Sequence, residues 1–256
     1  MIDSPAKISA TIITKNEAEN IAACLESLSW VDEIVVLDSG SNDDTVRIAK
    51  DYTDKVFVET WQGQGHQKNR AIDLAQGPWI FSIDADERPT PELIDEIKLA
   101  VTSGKHMALA MRRKTFYKGR WVRHCGWWPD WVTRVFKKGE AHFNSNIIHE
   151  SLQVSSTTGR LTHSLNHYSF KSPEDFLQRA CWYAHNKARE MRGQGKKASS
   201  WTAFSHAGFS FVQTYFLRLG FLDGPVGLLV AVSNFVGVFY RYMILRELSH
   251  ETDAID

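Results

Sequence analysis

The most distinctive chemical feature of the sequence is a pair of carboxylates one residue apart, Asp84 and Asp86, in the string SIDADE at residues 82–87. The pair follows an apolar run that predicts a buried strand, and side chains alternate along a strand, so both carboxylates are expected to point the same way. Hard oxygen ligands of this kind suit Mg²⁺ or Mn²⁺ bound together with a diphosphate. Alone, a D-x-D string is usually a solvated turn, and its position after a strand gives it weight.

The elements that position this pair are indicated by alternating strand and helix patterns in the first hundred residues. Strand-like apolar runs occur four times, at residues 8–13, 33–37, 55–58 and 79–83. Strands separated by helical spacing indicate parallel strands joined by crossovers, in a three-layer α/β domain. Ligands bind such sheets at the carboxyl ends of the strands, where we expect Asp38 to join Asp84 and Asp86.

The charge distribution divides the chain. Residues 1–104 carry 9 basic and 19 acidic side chains, whereas residues 105–256 carry 21 and 11, so the net charge of zero hides a positive second half. That half suits an anionic partner, such as a phospholipid surface or a phosphorylated acceptor. Nucleic-acid-binding signatures are lacking. The three widely spaced cysteines and the absence of a signal-peptide pattern predict a reducing, cytoplasmic environment.

The C-terminal segment predicts helices of a different character. Residues 173–192 begin with the acidic turn typical of a helix start, and residues 194–200 predict a flexible linker. Residues 225–240 form an uncharged run, somewhat shorter than the roughly 20 apolar residues of a spanning helix. We therefore expect helices that lie in a membrane interface, with a buried pair of core helices as the alternative.

Three strings carry a family resemblance: SATIITKN at residues 9–16, EIVVLDSGSNDDT at residues 33–45 and GHQKNRAIDLAQGPWIFSIDADE at residues 65–87. In this order and spacing they resemble glycosyltransferase family 2, with its GT-A fold. Shorter strings, WWPDWVTRVF, NIIHESL and LGFLDG, are similar to lipopolysaccharide core glucosyltransferases of WaaE/KdtX type. The resemblance implies a GT-A catalytic domain over residues 1–165, with a Rossmann-like, mostly parallel central sheet. It also implies a helical, membrane-associating extension over residues 166–256.

The resemblance also assigns roles on the donor side. Asp38 would accept a hydrogen bond from a uracil ring, since an ionised Asp only accepts. Asp86 would ligate the Mg²⁺ or Mn²⁺ ion, and Asp84 would contact the ribose, a metal-bound water or the metal itself. The remaining donor-binding residues implied by the resemblance are Thr14, Asn16, Glu17, Lys68 and Asn69.

On the acceptor side, the resemblance assigns Glu150 as the general base that takes a proton from the attacking hydroxyl group. The preceding His149 would orient it or bind phosphate. Trp128 and Trp131 would stack on sugar faces and Arg134 would pair with phosphate. Without the resemblance, Glu150 would be interpreted as a surface ion pair and the tryptophans as core or membrane-facing aromatics.

The resemblance implies a metal-dependent, inverting hexosyltransferase that moves glucose from UDP-glucose onto an inner-core heptose of lipopolysaccharide, in a β-linkage. The enzyme would work on the cytoplasmic face of the bacterial inner membrane, with a lipid-anchored acceptor and an anionic membrane surface as partners. One alternative is another lipid-linked or capsule acceptor. A nucleotidyltransferase would need a Gly-rich phosphate loop after the first strand, where the sequence is TKNE. A membrane-surface binding module would not need acids at the carboxyl ends of its strands.

Overall fold

The computed structural model describes residues 7–144 and 151–253, with side chains as far as Ser249; the predictions for His149 and Glu150 lie outside these residues. The strands are β1 Ile8–Thr14, β2 Glu33–Asp38, β3 Val56–Val58, β4 Trp79–Ser82, β5 Glu87–Pro89, β6 Ala108–Tyr117, β7 Arg120–Trp121, β8 Asp130–Lys137, β9 Ala141–Phe143, β10 Leu152–Val154 and β11 Thr158–Phe170. The helices are α1 Ala18–Glu26, α2 Thr45–Lys50, α3 Gln64–Leu74, α4 Pro91–Ser103, α5 Pro173–Gly193, α6 Ser200–Val212 and α7 Pro225–Asp253.

The central sheet has the strand order β3-β2-β1-β4-β8-β6-β11-β5, with β7 beside β6. The first four strands in this order are parallel, and their register places Thr14 beside Asp38. From β4 onward the pairs β4–β8, β8–β6 and β11–β5 are antiparallel. The predicted α/β class is confirmed, and the sheet is mixed because only its first half is built from crossover units.

The parallel strands are apolar because helices cover both faces of this half of the sheet. In β1 six of the seven residues are buried, as expected for a strand without a solvent-facing side. One apolar cluster joins Ile12 and Phe81 to Leu25 of α1 and Ile97 of α4. A second cluster contains Ile80, Phe136, Val35 and Ile72, the last from α3. The carboxyl ends of β1, β2 and β4 are thereby fixed at one edge.

The chain divides into two compact units. The first contains the residues up to Lys114 together with Asp130–His167, and the second contains Thr115–Pro129 together with Tyr168–Asp256. The predicted division was a single cut after residue 165. The main difference is residues 115–129, which sequence analysis assigned to the catalytic domain and which group with the C-terminal helices.

The second unit is built on α5, α6 and α7. Helix α5 begins with a capping box in which Ser172 and Asp175 exchange hydrogen bonds, which confirms the predicted helix start. The predicted linker corresponds to the residues between α5 and α6. Helices α5 and α7 approach closely at Gly237, where a Cβ atom would lie 3.2 Å from the Ala180 Cβ.

Helix α7 is apolar on both its buried and its exposed sides. Val230 and Ala231 are buried, whereas Leu228 and Val232 are more than 40% exposed. Among the described residues one helix, Pro225–Ser249, is long and apolar enough to cross a membrane, and 28% of its most apolar stretch is buried. The core-helix alternative therefore accounts for one side of α7 only.

The amino end of β2 supplies a test of stability. The Glu33 carboxylate is 10% exposed and accepts hydrogen bonds from the Lys55 ammonium group, the Ser9 hydroxyl group and the Gln76 backbone N–H. Burial alone would raise the pKa of Glu33, but these donors outweigh it and lower the pKa from 4.5 to about 2. The folded-state pKa lies below the unfolded value, so the stabilisation is complete above pH 4.5 and is lost as the pH falls toward 2.

We expect Glu33→Gln to lower the free energy of unfolding by roughly 2–3 kcal/mol at neutral pH. The difference from the wild type should shrink as the pH falls through the window between the two pKa values. Urea unfolding at a series of pH values measures this, with Asp95→Asn on exposed α4 surface as the control. A difference that stays constant with pH would contradict the assignment.

Candidate active site

The carboxyl end of β2 is organised by Asp38, which has no exposed area. Its Oδ1 accepts hydrogen bonds from the backbone N–H groups of Gly40 (2.9 Å) and Ser41 (2.7 Å). Its Oδ2 accepts from the hydroxyl groups of Thr14 (2.9 Å) and Ser41 (2.5 Å). A carboxylate has about four acceptor positions, and these donors occupy them. Asp38 thus shapes the loop after β2, and a uracil ring would have to displace one of these donors.

The loop after β1 is hydrogen-bonded to the loop after β2. The Asn16 N–H donates to Ser41 Oγ (2.8 Å), and Asn16 Oδ1 accepts from the Asn42 N–H (3.0 Å). The Glu17 N–H donates to Thr45 Oγ1 (2.8 Å). Asn16 is exposed with φ +57°, a left-handed conformation that Asn tolerates better than most residues. Asn16 and Glu17 therefore line the strand edge where a nucleoside pocket is predicted, while Thr14 is buried beneath it.

After β4, Asp84 is held between two cations. Its Oδ1 lies 3.0 Å from Lys68 Nζ, and its Oδ2 lies 2.5 Å from Arg134 Nη2. Its side chain is 25% exposed, whereas those of Lys68 and Arg134 are 4% and 7% exposed. Helix α3, through Lys68, and strand β8, through Arg134, thus both bind the loop that carries the D-x-D string.

The same loop is also held in place by Glu87, which has no exposed area. Glu87 Oε1 accepts from Arg134 Nη2 (2.6 Å) and Arg113 Nη1 (3.2 Å), and Oε2 accepts from the Asp84 backbone N–H (3.1 Å). Arg113 also pairs with Asp130 at 2.8 Å. A buried carboxylate is tolerated only when it is paired and hydrogen-bonded, and here two guanidinium groups and an amide meet that condition.

The charges of this ion network stabilise one another. Burial disfavours the charged form of Asp84, but attraction to Arg134 and Lys68 outweighs it and holds the pKa of Asp84 well below its usual range. Burial likewise opposes the charge on Arg134, and attraction to Asp84 and Glu87 raises its pKa above the usual range. Asp84 and Arg134 therefore keep their charges, and the ion pair between them holds the loop, throughout the neutral pH range.

Asp86 has a different partner. His167 Nε2 lies 3.3 Å from Asp86 Oδ2, and the two side chains are 11% and 15% exposed. The β11–β5 register pairs His167 with Glu87, which places the imidazole beside this turn. Carboxylate oxygen suits Mg²⁺ or Mn²⁺, and imidazole nitrogen is a further metal ligand. In the described part of the chain no cluster of three or more His, Cys, Asp and Glu side chains forms a closed metal site.

The expected strand-like alternation of the two carboxylates is wrong. Strand β4 ends at Ser82, and residues 83–86 lie outside any strand, with a turn at Ala85 and Asp86, so the period of a strand does not apply to them. Asp84 contacts Lys68 and Arg134, whereas Asp86 contacts His167. The D-x-D string therefore offers two carboxylates in two different environments.

Helix α3 bears the other two predicted donor residues. The Lys68 ammonium group lies 5.2 Å from the centroid of the Phe143 ring as well as beside Asp84. Asn69 pairs with the Phe143 backbone: its Nδ2 donates to the carbonyl oxygen and its Oδ1 accepts from the N–H, both at 2.8 Å. At Gly65 a Cβ atom would lie 2.0 Å from the Asn144 carbonyl oxygen, so only glycine permits this approach. Asn69 thus anchors α3 to β9.

An exposed tryptophan lies next to the ion network. Trp131 on β8 is 38% exposed, and its ring centroid is 5.7 Å from the Arg112 guanidinium carbon and 5.0 Å from that of Arg160. The preceding residue is Asp130, the partner of Arg113. An aromatic face flanked by two cations can bind a sugar ring and an anionic group together.

The remaining acceptor predictions fall in several places. Arg134 is buried, with its guanidinium group bound to Asp84 and Glu87, so an acceptor contact does not fit its position. Trp128 belongs to the second unit, where its ring meets Trp121 edge-on at 5.1 Å. The predicted base Glu150 and its neighbour His149 lie outside the described residues.

Comparison with known proteins decides the class of this chain, since the glycosyl transferase family 2 profile matches residues 9–154. The chain belongs to this family. A protein of Rickettsia prowazekii described as an uncharacterized glycosyltransferase is 33% identical over 97% of this chain and 90% of its own length. The lipopolysaccharide core biosynthesis glycosyltransferase LpsC of Rhizobium meliloti is 26% identical over 93% of both chains. A crystal structure of S. aureus TarS in complex with UDP-GlcNAc is 16% identical, covering 96% of this chain and 92% of that one, with a TM-score of 0.48.

For this family 2 glycosyltransferase, sequence reasoning missed three residues of the site: Glu87, Arg113 and His167. A signal was present for Glu87 and for its partner Arg134. Glu87 directly follows the D-x-D string, and Arg134 interrupts the apolar strand string VTRVF, so a buried ion pair could have been expected there. His167 carried no local signal, because its place beside Asp86 depends on pairing between β5 and β11.

We expect Glu87→Gln to lower the free energy of unfolding by about 3 kcal/mol or more, because it leaves buried guanidinium groups without their charged partner. Asp130→Asn is the matched control, since Asp130 also pairs with Arg113 but is 36% exposed; its loss should stay below about 1 kcal/mol. Urea unfolding at neutral pH measures both. Equal losses for the two variants would contradict the burial argument.

Proposed function

We propose that this glycosyltransferase transfers glucose from UDP-glucose to an inner-core heptose of lipopolysaccharide, with inversion to a β-linkage. The observation that carries the acceptor class is the similarity to LpsC, which extends over 93% of both chains and thus includes the helical second unit. A catalytic domain alone is shared by enzymes with many acceptors, whereas a match over both units includes the parts that are free to differ between acceptors.

On the donor side, we assign Asp86 to the divalent cation, with His167 as a second ligand. Their O and N atoms lie 3.3 Å apart at the strand edge, which fits a cation that takes its other ligands from the diphosphate and water. A bound Mg²⁺ or Mn²⁺ ion would neutralise the negative charge that develops on the departing UDP. Asp84 fits a metal less well, because Lys68 and Arg134 already lie within 3.0 Å of its oxygens and would repel a metal ion.

Asp84 then acts as a positioning residue. Through Arg134 and the backbone contact to Glu87 it fixes the turn in which Asp86 lies. Asn16 and Glu17 line the nucleoside side of the cleft, and Asp38 holds their loop in place through Ser41. Lys68 contributes positive charge near the diphosphate, since its ammonium group is held by Asp84. The rigid ion network thereby orients the donor before the reaction.

The transfer is a single displacement at the anomeric carbon. Glu150 takes the proton of the acceptor hydroxyl as its oxygen bonds to that carbon, and the bond to the UDP oxygen breaks on the opposite face. Trp131 would stack on the acceptor sugar, with Arg112 and Arg160 beside its ring for a phosphate group. His149 would orient Glu150 or bind phosphate.

The lipid-anchored acceptor places the enzyme on the cytoplasmic face of the bacterial inner membrane, as a peripheral or monotopic protein. The apolar helix α7 and the many exposed aromatic side chains of the second unit support association with a membrane surface. Another lipid-linked or capsule acceptor would require the same donor chemistry and the same membrane contact.

Asp86→Ala should reduce metal-dependent hydrolysis of UDP-glucose and transfer by at least about 100-fold, because the carboxylate that holds the cation is lost. Release of UDP with Mn²⁺, Mg²⁺ or excess chelator measures this. Asp95→Ala, an exposed carboxylate on α4, is the control and should behave as the wild type. Full activity of Asp86→Ala would refute the metal assignment.

Glu150→Gln should lower transfer by about 10³-fold while UDP still binds with wild-type affinity, because a general base acts on the acceptor and not on the nucleotide. Calorimetry gives the binding constant and product formation gives the rate. Glu140→Gln, at a glutamate that precedes it in the sequence, serves as the control. If UDP affinity falls as far as the rate does, Glu150 binds the donor and is not the base.

A further inference from the structure

The second unit exposes an unusual amount of apolar surface. In the described part of the chain, five exposed large hydrophobic side chains lie in the first unit and 15 in the second. Large apolar side chains that are exposed next to one another usually mark an interaction surface. What binds this surface can be argued from the charges next to it.

The most concentrated part of the surface is a turn between α6 and α7. Residues 213–224 comprise a π-helical turn, Gln213–Leu217, and a 3₁₀ turn, Gly220–Asp223. Turns that face water are normally polar, whereas this one exposes large apolar side chains by 44% to 67%: Phe216, Leu217, Leu219, Phe221 and Leu222. Leu219 also has φ +54°, a left-handed conformation that is uncommon for a bulky residue.

A basic segment of the same unit is attached to this turn. Asp223 is buried and accepts hydrogen bonds from the backbone N–H groups of Arg123 (3.3 Å) and His124 (2.7 Å) and from His124 Nδ1 (2.9 Å). The Cys125 N–H donates to the Arg218 carbonyl oxygen (3.0 Å). The Arg218 guanidinium group packs against the backbone of Gly126. A Cβ atom added there would lie 2.6 Å from Arg218 Nη1. We call residues 118–126 and 213–224 together the docking tip.

The docking tip combines exposed apolar side chains with exposed positive charge. Its only acidic residue, Asp223, is buried and bound to His124, and four cationic side chains outnumber it, so the tip keeps a net positive charge. Four cationic side chains of the tip are exposed: Lys118, Arg120, Arg123 and Arg218. Apolar residues ringed by cations complement an anionic lipid bilayer, where the cations meet phosphates and the apolar groups meet acyl chains.

We propose that the docking tip inserts into an anionic phospholipid bilayer, with Leu217 and Leu222 among the acyl chains and Arg123 and Arg218 at the headgroup phosphates. This refines the membrane association within the proposed function and rests on it for its biological purpose. The membrane contact is thus made by the turn that precedes α7 and its basic partner segment, and α7 need not span the bilayer.

Sedimentation of the full-length protein with vesicles tests this. The wild type should sediment with equimolar phosphatidylcholine and phosphatidylglycerol, weakly with phosphatidylcholine alone, and less as salt is added. A Leu217→Ser/Leu222→Ser variant should lose at least about tenfold in partitioning to the mixed vesicles. An Arg123→Gln/Arg218→Gln variant should lose about 20-fold on these vesicles and little on neutral ones.

Matched controls are available in the first unit. Leu99→Ser removes a leucine that is 73% exposed, and Lys105→Gln removes an exposed cation; both should sediment as the wild type does. Wild-type sedimentation of the tip variants would overturn the proposal, as would equal binding of the wild type to neutral and anionic vesicles. A dimer that the leucine variant converts to a monomer, without vesicle binding, would also overturn it and identify an interface between copies.

Donor hydrolysis in solution separates this proposal from the proposed function. The tip variants should hydrolyse UDP-glucose at the wild-type rate, because none of the four substituted residues belongs to the proposed donor-binding set. A protein that binds anionic vesicles through the tip but cleaves no sugar nucleotide would refute the proposed function and support the docking surface. A protein that transfers sugar but binds no vesicles would support the proposed function and refute the docking surface.

Discussion

The buried ion network around Glu87 is the constraint on which the rest of the site depends. A carboxylate without solvent contact is stable only beside its cations, so Arg113 of β6 and Arg134 of β8 must both reach it. These strands are joined to the parallel half of the sheet through β4. Assembly of the mixed sheet therefore completes the network, and the network in turn fixes the loop that presents Asp84 and Asp86.

The two carboxylates of the D-x-D string have different surroundings and therefore different roles. Asp84 faces Lys68 and Arg134 and serves the structure of the loop, while Asp86 lies beside His167 and is the better candidate for a cation. Asp38 has a structural role like that of Asp84, since its oxygens accept hydrogen bonds from its own loop and from Thr14. Asp38 and Asp84 thus hold the loops at the strand edge through bonds to neighbouring groups of the protein.

The local part of this organisation could be predicted from the sequence, and the long-range part could not. Alternating strand and helix patterns depend on near neighbours, so the parallel strands, their carboxyl edge and the start of α5 were correctly predicted. Which arginine is buried depends on pairing between strands far apart in sequence, so Arg134 was expected to pair with a phosphate of the acceptor. Residues 115–129 were assigned to the catalytic domain for the same reason, because their partners lie about a hundred residues later.

The identity of the acceptor can be measured directly in a transfer assay. Transfer should be assayed from a panel of uridine diphosphate sugars, with Mn²⁺ or Mg²⁺, to lipopolysaccharide truncated at successive core residues. We predict β-linked glucose on lipopolysaccharide that ends at an inner-core heptose, and no transfer once that heptose is missing. Transfer to polyprenyl phosphate or to a capsule precursor, with none to any truncated lipopolysaccharide, would contradict it.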